Sequence, residues 1–350
     1  MDFSKSKIKH LIIHEIGNKL RDEKVFLSTT LQSIEEDLES ILLNYFLKSF
    51  LTQRDFYHFN HNTDLNLNEI YSYSKNIFHK NNETSFIENS QNIAKHLYEY
   101  SLHPKIARGE LIIVQISNIG YDSELIDLIG IFKSENKDSF LKVIKEREVI
   151  KVKDDEGINI SKLEKGCLVL NANKSNGYVV LNIDNNNQTT DYWTNKFLNL
   201  KPIDNDIHKT KEIMNLCKNF SNDILSGQYN TDIKFDFNND YINYFEDNEL
   251  YDIDNFTDSL FKDNKMKEDF FEYYQSNEEA FDFDMYDKFE LSQSDIKKEK
   301  KKIKNIIKLD TKLELKVLLD KDNGTKNIKK GFDEDKGMHF YKIYFNEEIK

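Results

Sequence analysis

Five apolar runs between residues 109 and 184 constrain this chain more than any other feature in it. They are GELIIVQISN (109–118), ELIDLIGIFKS (124–134), SFLKVIK (139–145), GCLVLN (166–171) and GYVVLNID (177–184). Each has strand length, and polar turns such as NKSNG separate them. Parallel neighbours need a crossover of a dozen or more residues, usually a helix, and no such helix fits the gaps. The runs therefore predict an antiparallel meander.

Around this meander the period of the apolar residues changes. Residues 7–16, KIKHLIIHEI, read as a strand, with a returning strand at 25–28. From Thr30 to about Phe50, Leu31, Ile34, Leu38, Ile41, Leu42 and Tyr45 recur at helical steps, with Thr30 or Ser33 as the start. Residues 54–64 read as a loop. Helices are expected near 66–80 and 84–102, the second stopped by Pro104, and again at 191–201 and 205–226. The expected fold is α+β. An N-terminal domain (1–226) has its strands and helices packed on the meander, and a mixed helix-strand C-terminal region spans 227–350.

Charge divides that C-terminal region. The chain carries −13 overall, and residues 232–290 hold 19 acidic residues against 5 lysines, the whole excess. Residues 295–330 hold 13 lysines against 6 acidic residues. Aromatics at helical spacing (Phe270, Phe271, Tyr274) predict small helices in the acidic block. Residues 291–309 predict a lysine-rich helix, capped by Ser294 and Asp295, with Ile296, Ile303, Ile306 and Ile307 as its apolar stripe. KLELKVLLD (312–320) and MHFYKIYFN (338–346) predict two paired strands that end the chain, on either side of a lysine-rich loop.

Several chemistries find little support. No 18-residue apolar window crosses a membrane. The apolar run before His14 and Glu15 is too short for a secretory segment, so a cytosolic place is expected. Cys167 and Cys217 form no CxxC pair and read as core thiols. His14-Glu15 fails the HExxH pattern because Asn18 stands where the second His belongs. His10 with His14, and His58 with His61, are too few for a metal site, and neither a metal nor a cofactor is expected. Phosphate-cradling GxxxxGKS and GxGxxG loops are absent, as is GxSxG. Glu314-x-Lys316 is half of a metal-dependent nuclease pattern, but its nearest acidic mate, Asp310, lies only four residues upstream.

The lysines offer a different chemistry. Lys297, Lys298, Lys300, Lys301, Lys302, Lys304 and Lys308 crowd the predicted helix, and Lys326, Lys329 and Lys330 follow in the loop. Lysine neutralises phosphate and releases counterions, which gives affinity without sequence choice. Only four of the 49 basic residues are Arg, so bidentate guanine contacts are scarce. The acidic block would mimic DNA or shield the lysine face.

The segments IKHLIIHEIGN, RGELIIVQISNIGYDSELIDLIGIFKSENKDSFLKV (108–143), GCLVLN, GYVVLNID and DYWTNKFLNLKPID (191–204) resemble the NdpA/YejK family of bacterial nucleoid-associated proteins. The order of these pieces matches across roughly residues 5–225. The end matches in outline, and 228–290 lies outside the resemblance. It implies a cytosolic protein of the nucleoid that binds DNA or DNA-bound proteins, with no catalytic motif to transfer. The expectation is non-catalytic, sequence-tolerant DNA binding through the ten lysines. The alternatives are a module docking on nucleoid proteins through the acidic block, and a metal-dependent nuclease.

Overall fold

A computed structural model describes residues 1–146, 149–185, 192–281, 283–319 and 327–347. The chain is α+β and divides into two compact units, Met1–Ile203 and Asp204–Lys350. The sequence alone suggested a division at 226/227. The helix Asp206–Phe220 gives Ile213, Leu216, Cys217 and Phe220 to the core of the second unit.

The first unit is built on a seven-stranded sheet in which every ladder is antiparallel. Its strands are β1 (Lys7–Ile16), β2 (Phe56–Phe59), β3 (Gly109–Tyr121), β4 (Glu124–Ser134), β7 (Lys165–Leu170), β8 (Val179–Asp184) and β9 (Leu200–Pro202), ordered β1-β3-β4-β7-β8-β2-β9. Both faces are covered, which explains why the runs are continuously apolar rather than alternating. Leu111, Ile113, Ile129 and Ile131 pack with Ile70, Phe86, Ile93 and Leu97 of helices α2 (Glu69–Lys80) and α3 (Glu83–Tyr100). Ile112, Val114, Leu128 and Phe132 face the other way, onto Tyr45, Phe46 and Phe50. Phe46 comes from α1 (Glu36–Leu47) and stacks on Phe132 at 4.6 Å.

The meander differs from expectation at its third strand. The segment 139–145 leaves the sheet: β5 (Asp138–Glu146) pairs only with β6 (Val149–Gly157), and β4 pairs directly with β7. Residues 56–59 are an inner strand of the sheet, bonded to β8 and β9, not a loop. The expected strand at 25–28 reduces to one bridge, Glu15 to Phe26. The helix expected from Thr30 begins only at Glu36, so neither Thr30 nor Ser33 caps it.

The second unit packs helices around an aromatic core. α4 (Asp206–Phe220) runs through a π turn into the short α5 (Ser226–Gln228). The acidic block forms α6 (Thr231–Asp247), α7 (Ile253–Leu260) and α8 (Asn264–Ser276). Phe237, Tyr241, Phe245, Phe256 and Phe270 point inward from them, while most of the carboxylates face solvent. Two-residue strands β10 (Leu250–Tyr251) and β11 (Phe289–Glu290) close this block, and Tyr251 stacks on Phe289 at 4.8 Å.

Candidate nucleic-acid interface

The lysine-rich helix is shorter than its sequence suggests. α9 (Gln293–Lys300) stops at Lys300; the chain turns and enters β12 (Asn305–Lys308), which pairs with β13 (Glu314–Val317). A continued helix would stack like charges three and four residues apart, while Ile303, Ile306 and Ile307 are β-branched and favour a strand. Buried Asn305 fixes the switch by accepting a hydrogen bond from Asn238 Nδ2 at 2.8 Å. Thus Ile303, Ile306 and Ile307 form no helical stripe, and Lys301, Lys302, Lys304 and Lys308 lie beyond α9.

Two residues anchor α9. Ile296 is fully buried in the aromatic core, and Asp295 is fully buried beside it. Ser292 is the cap residue, not Ser294. The Asp295 carboxylate accepts from Ser292 Oγ at 2.6 Å and lies 3.3 Å from Lys298 Nζ and 3.8 Å from Lys211 Nζ. Burial alone would raise its pKa, but the Ser292 hydrogen bond and the two ammonium charges outweigh it and hold the carboxyl below its ordinary value.

The lysines fall into two groups. Lys298 pairs with Asp295, Lys300 with Glu246 at 3.0 Å, Lys302 with Glu299 at 2.6 Å and Lys308 with Glu314 at 3.4 Å. Lys297, Lys301 and Lys304 are exposed and make no ion pair among the described residues. Lys326 lies outside the described residues. Lys329 and Lys330 are not in a loop: they sit on β14 (Ile328–Asp333), which pairs with β15 (Met338–Ile343). The two strands expected to pair at the chain's end therefore pair elsewhere, β13 with β12 and β15 with β14.

The β14–β15 hairpin adds aromatic surface to the lysines. Lys330 stands opposite Tyr341, Phe332 opposite His339, and Lys329 opposite Lys342. The ammonium groups of Lys329 and Lys342 lie 5.8 and 5.3 Å from the Tyr344 ring centre. A cleft of about 610 Å³ is lined by Lys329, Lys330, Phe332, His339 and Tyr341, with Phe235, Ile307 and the start of α6 across it. Asp232 is the acidic side chain in its lining. The charge count alone missed these aromatics; the aromatic text MHFYKIYFN (338–346), around its single Lys342, was the signal that could have found His339 and Tyr341.

The remaining candidates have structural partners. His14 is buried between Ser28 and Ser90, and His10 packs on Phe86. His58 bonds its own strand, and His61 accepts from Thr63 and Asp64 amides. Both cysteines are free and buried, and burial pushes their thiols up. Glu314 pairs across the ladder with Lys308. Among the described residues, no three His, Cys, Asp or Glu are placed to share a metal ion.

Sequence reasoning passed over one buried charge cluster in the first unit. Lys133 Nζ meets Glu135 at 2.8 Å and the Ala107 carbonyl at 2.9 Å, and Tyr192 donates to Glu135 at 2.8 Å. Lys165 meets Asp184 at 2.7 Å. Burial holds the Lys133 ammonium below its ordinary pKa, and Glu135 opposes that shift. Each of these charges has a partner, as a buried structural network requires.

No helix among the described residues is long and apolar enough to cross a membrane. A comparison with curated proteins returned no match. A family model described as nucleoid-associated protein YejK matches residues 12–337, running through both units and through the 228–290 segment that the resemblance left out. The chain belongs to the family of the nucleoid-associated protein YejK.

Proposed function

We propose that this protein binds DNA in the nucleoid without catalysis and with little sequence preference. The contacts would come from the lysines of 297–308 and of the β14–β15 hairpin. The observation that carries this is the meeting of Lys329 and Lys330 with Phe332, His339 and Tyr341 around one cleft. Lysines supply phosphate contacts, and aromatic faces accept any base that is unstacked. The family description supports the nucleoid, and with it the cytoplasm, as the place of this binding.

The test is titration of random-sequence DNA at several salt concentrations. Changing Lys297, Lys301 and Lys304 together to Gln should weaken binding about equally on unrelated sequences. The salt slope should fall by up to about 0.9 per lost phosphate contact. Lys298 is a poorer choice because its partner Asp295 anchors the helix. An unchanged slope would move the contact elsewhere. Loss of the DNA itself on adding Mg²⁺ would favour a nuclease.

A second reading has one observation behind it. Most carboxylates of α6, α7 and α8 face solvent while most of their aromatics are buried, which leaves an acidic surface for basic proteins of the nucleoid. Absent DNA binding by the folded protein would favour it.

A further inference from the structure

The β14–β15 hairpin has two unlike faces. Residues directly opposite in an antiparallel pair share a face, and alternate pairs face opposite ways. The register sets Ile328, Lys330 and Phe332 on one face with Ile343, Tyr341 and His339. All of these except Ile343 line the cleft of about 610 Å³. On the other face a Cβ at Gly331 would lie 2.4 Å from the Phe340 ring, so the hairpin itself covers one side of that ring. The aromatics of the cleft face are more open. Phe332 is 53% exposed and meets His339 edge to face, with ring centres 5.0 Å apart. Tyr341 is half-buried. Lys329 and Lys330 make no ion pair among the described residues.

We infer that this cleft takes the unpaired bases of single-stranded DNA, stacked on Phe332 and Tyr341, with the strand's phosphates on Lys329 and Lys330. The inference rests on the DNA-binding reading above and names the form of DNA that the hairpin takes. In a duplex each base face is covered by its neighbours in the stack. In a single strand the faces are free to meet an aromatic ring. Every base has such a face, so the contact tolerates any sequence.

Size and charge point the same way. A volume of about 610 Å³ is on the scale of a small-ligand cleft, roughly 300–1,000 Å³, which takes a base or two and not a duplex. The wall across from the hairpin carries exposed Asp232 and buried Phe235. A carboxylate repels phosphate but not a neutral base. The strand therefore enters base first, with its phosphates held to the lysine side. A basic peptide would instead meet Lys329 and Lys330 in the same cleft.

Competition on the full-length protein between a mixed-sequence single strand of about 16 nucleotides and the same sequence as a duplex tests this. At about 200 mM salt, where phosphate contacts are weakened, the single strand should bind about tenfold tighter, the effect of one or two stacked bases. Phe332→Leu and Tyr341→Leu keep apolar bulk and remove the ring. Each should weaken single-strand binding about tenfold and leave duplex affinity as it was, with circular dichroism unchanged. Lys330→Gln should weaken both forms, because both carry phosphate. A duplex bound as tightly as the single strand overturns the inference and leaves the DNA-binding reading standing. Single-strand affinity indifferent to both leucine variants does the same. Binding of neither form overturns both.

Discussion

His14 shows how one side chain couples the first unit to pH. Its Nδ1 accepts from the Ser28 amide at 3.1 Å, so Nε2 carries the proton and faces Ser90 Oγ at 3.1 Å. Ser90 Oγ in turn donates to the Ile87 carbonyl at 2.7 Å. The neutral ring satisfies both neighbours; a second proton would sit buried on an atom already receiving a hydrogen bond. Burial pushes the pKa down to about 4, against an ordinary 6.5. The unfolded chain then takes up a proton at higher pH than the folded one. Stability from this residue is fully present above pH 6.5 and is lost as pH falls toward 4, by on the order of 3 kcal/mol. Melting curves of wild type and His14→Gln across that window should differ in slope, with the wild type steeper. Parallel curves would mean that the ring titrates freely. The sequence showed His14 on a strand, where alternation sets it on one face with His10, Ile12 and Ile16; nothing local in it revealed Ser28 and Ser90, which come from other segments.

At the level of elements, legibility followed length and covering. β3 and β4 were visible because both of their faces are buried, so the apolar text is unbroken. β2 was hidden because its four residues, Phe56–Phe59, sit in polar surroundings and owe their strand form to β8 and β9 on either side. β6 was hidden because KVKDDEG is charged and its pairing is to β5 alone. The α9–β12 switch was missed because isoleucines at 296, 303, 306 and 307 satisfy a helical period, whereas the buried Asn305 contact is tertiary. A glycine holds β2 in place. Gly177 has φ +91°, and its carbonyl accepts from the Phe59 amide at 2.9 Å. A Cβ there would lie 2.3 Å from the Phe59 oxygen, with backbone on the far side that cannot swing away. Gly177→Ala should cost about 1–3 kcal/mol, read as a lower urea midpoint at unchanged slope. Gly227→Ala is the control, since a Cβ there meets nothing within 4 Å. Equal midpoints for the two variants would show that β2 does not depend on this approach.

Across the whole molecule, the charge blocks were plain in the sequence, but their structural role was not. The acidic segment 232–290 looked detachable, a shield that deletion would remove. In the fold it supplies Phe237, Tyr241, Phe245, Phe256, Phe270 and Phe289 to the core that also holds Ile296 of the lysine helix. Deleting it should unfold the second unit, so a change in DNA binding after deletion would say nothing about shielding. Single carboxylates are the right probes. Glu246 on α6 holds Lys300 at 3.0 Å, and Glu299 holds Lys302 at 2.6 Å. Each pair is partly exposed, and such pairs are worth up to about 1 kcal/mol. Glu246→Gln and Glu299→Gln should therefore leave the melting temperature nearly unchanged while releasing Lys300 or Lys302. If these lysines meet phosphate, the acidic block competes with DNA for them. Each variant should then tighten DNA binding by up to about fivefold. The gain should be largest at low salt, where the Debye length is longest, and should fade as salt approaches 1 M. Binding that is unchanged or weaker at low salt, in a protein that melts like wild type, would show that Glu246 and Glu299 hold the lysines for the fold alone.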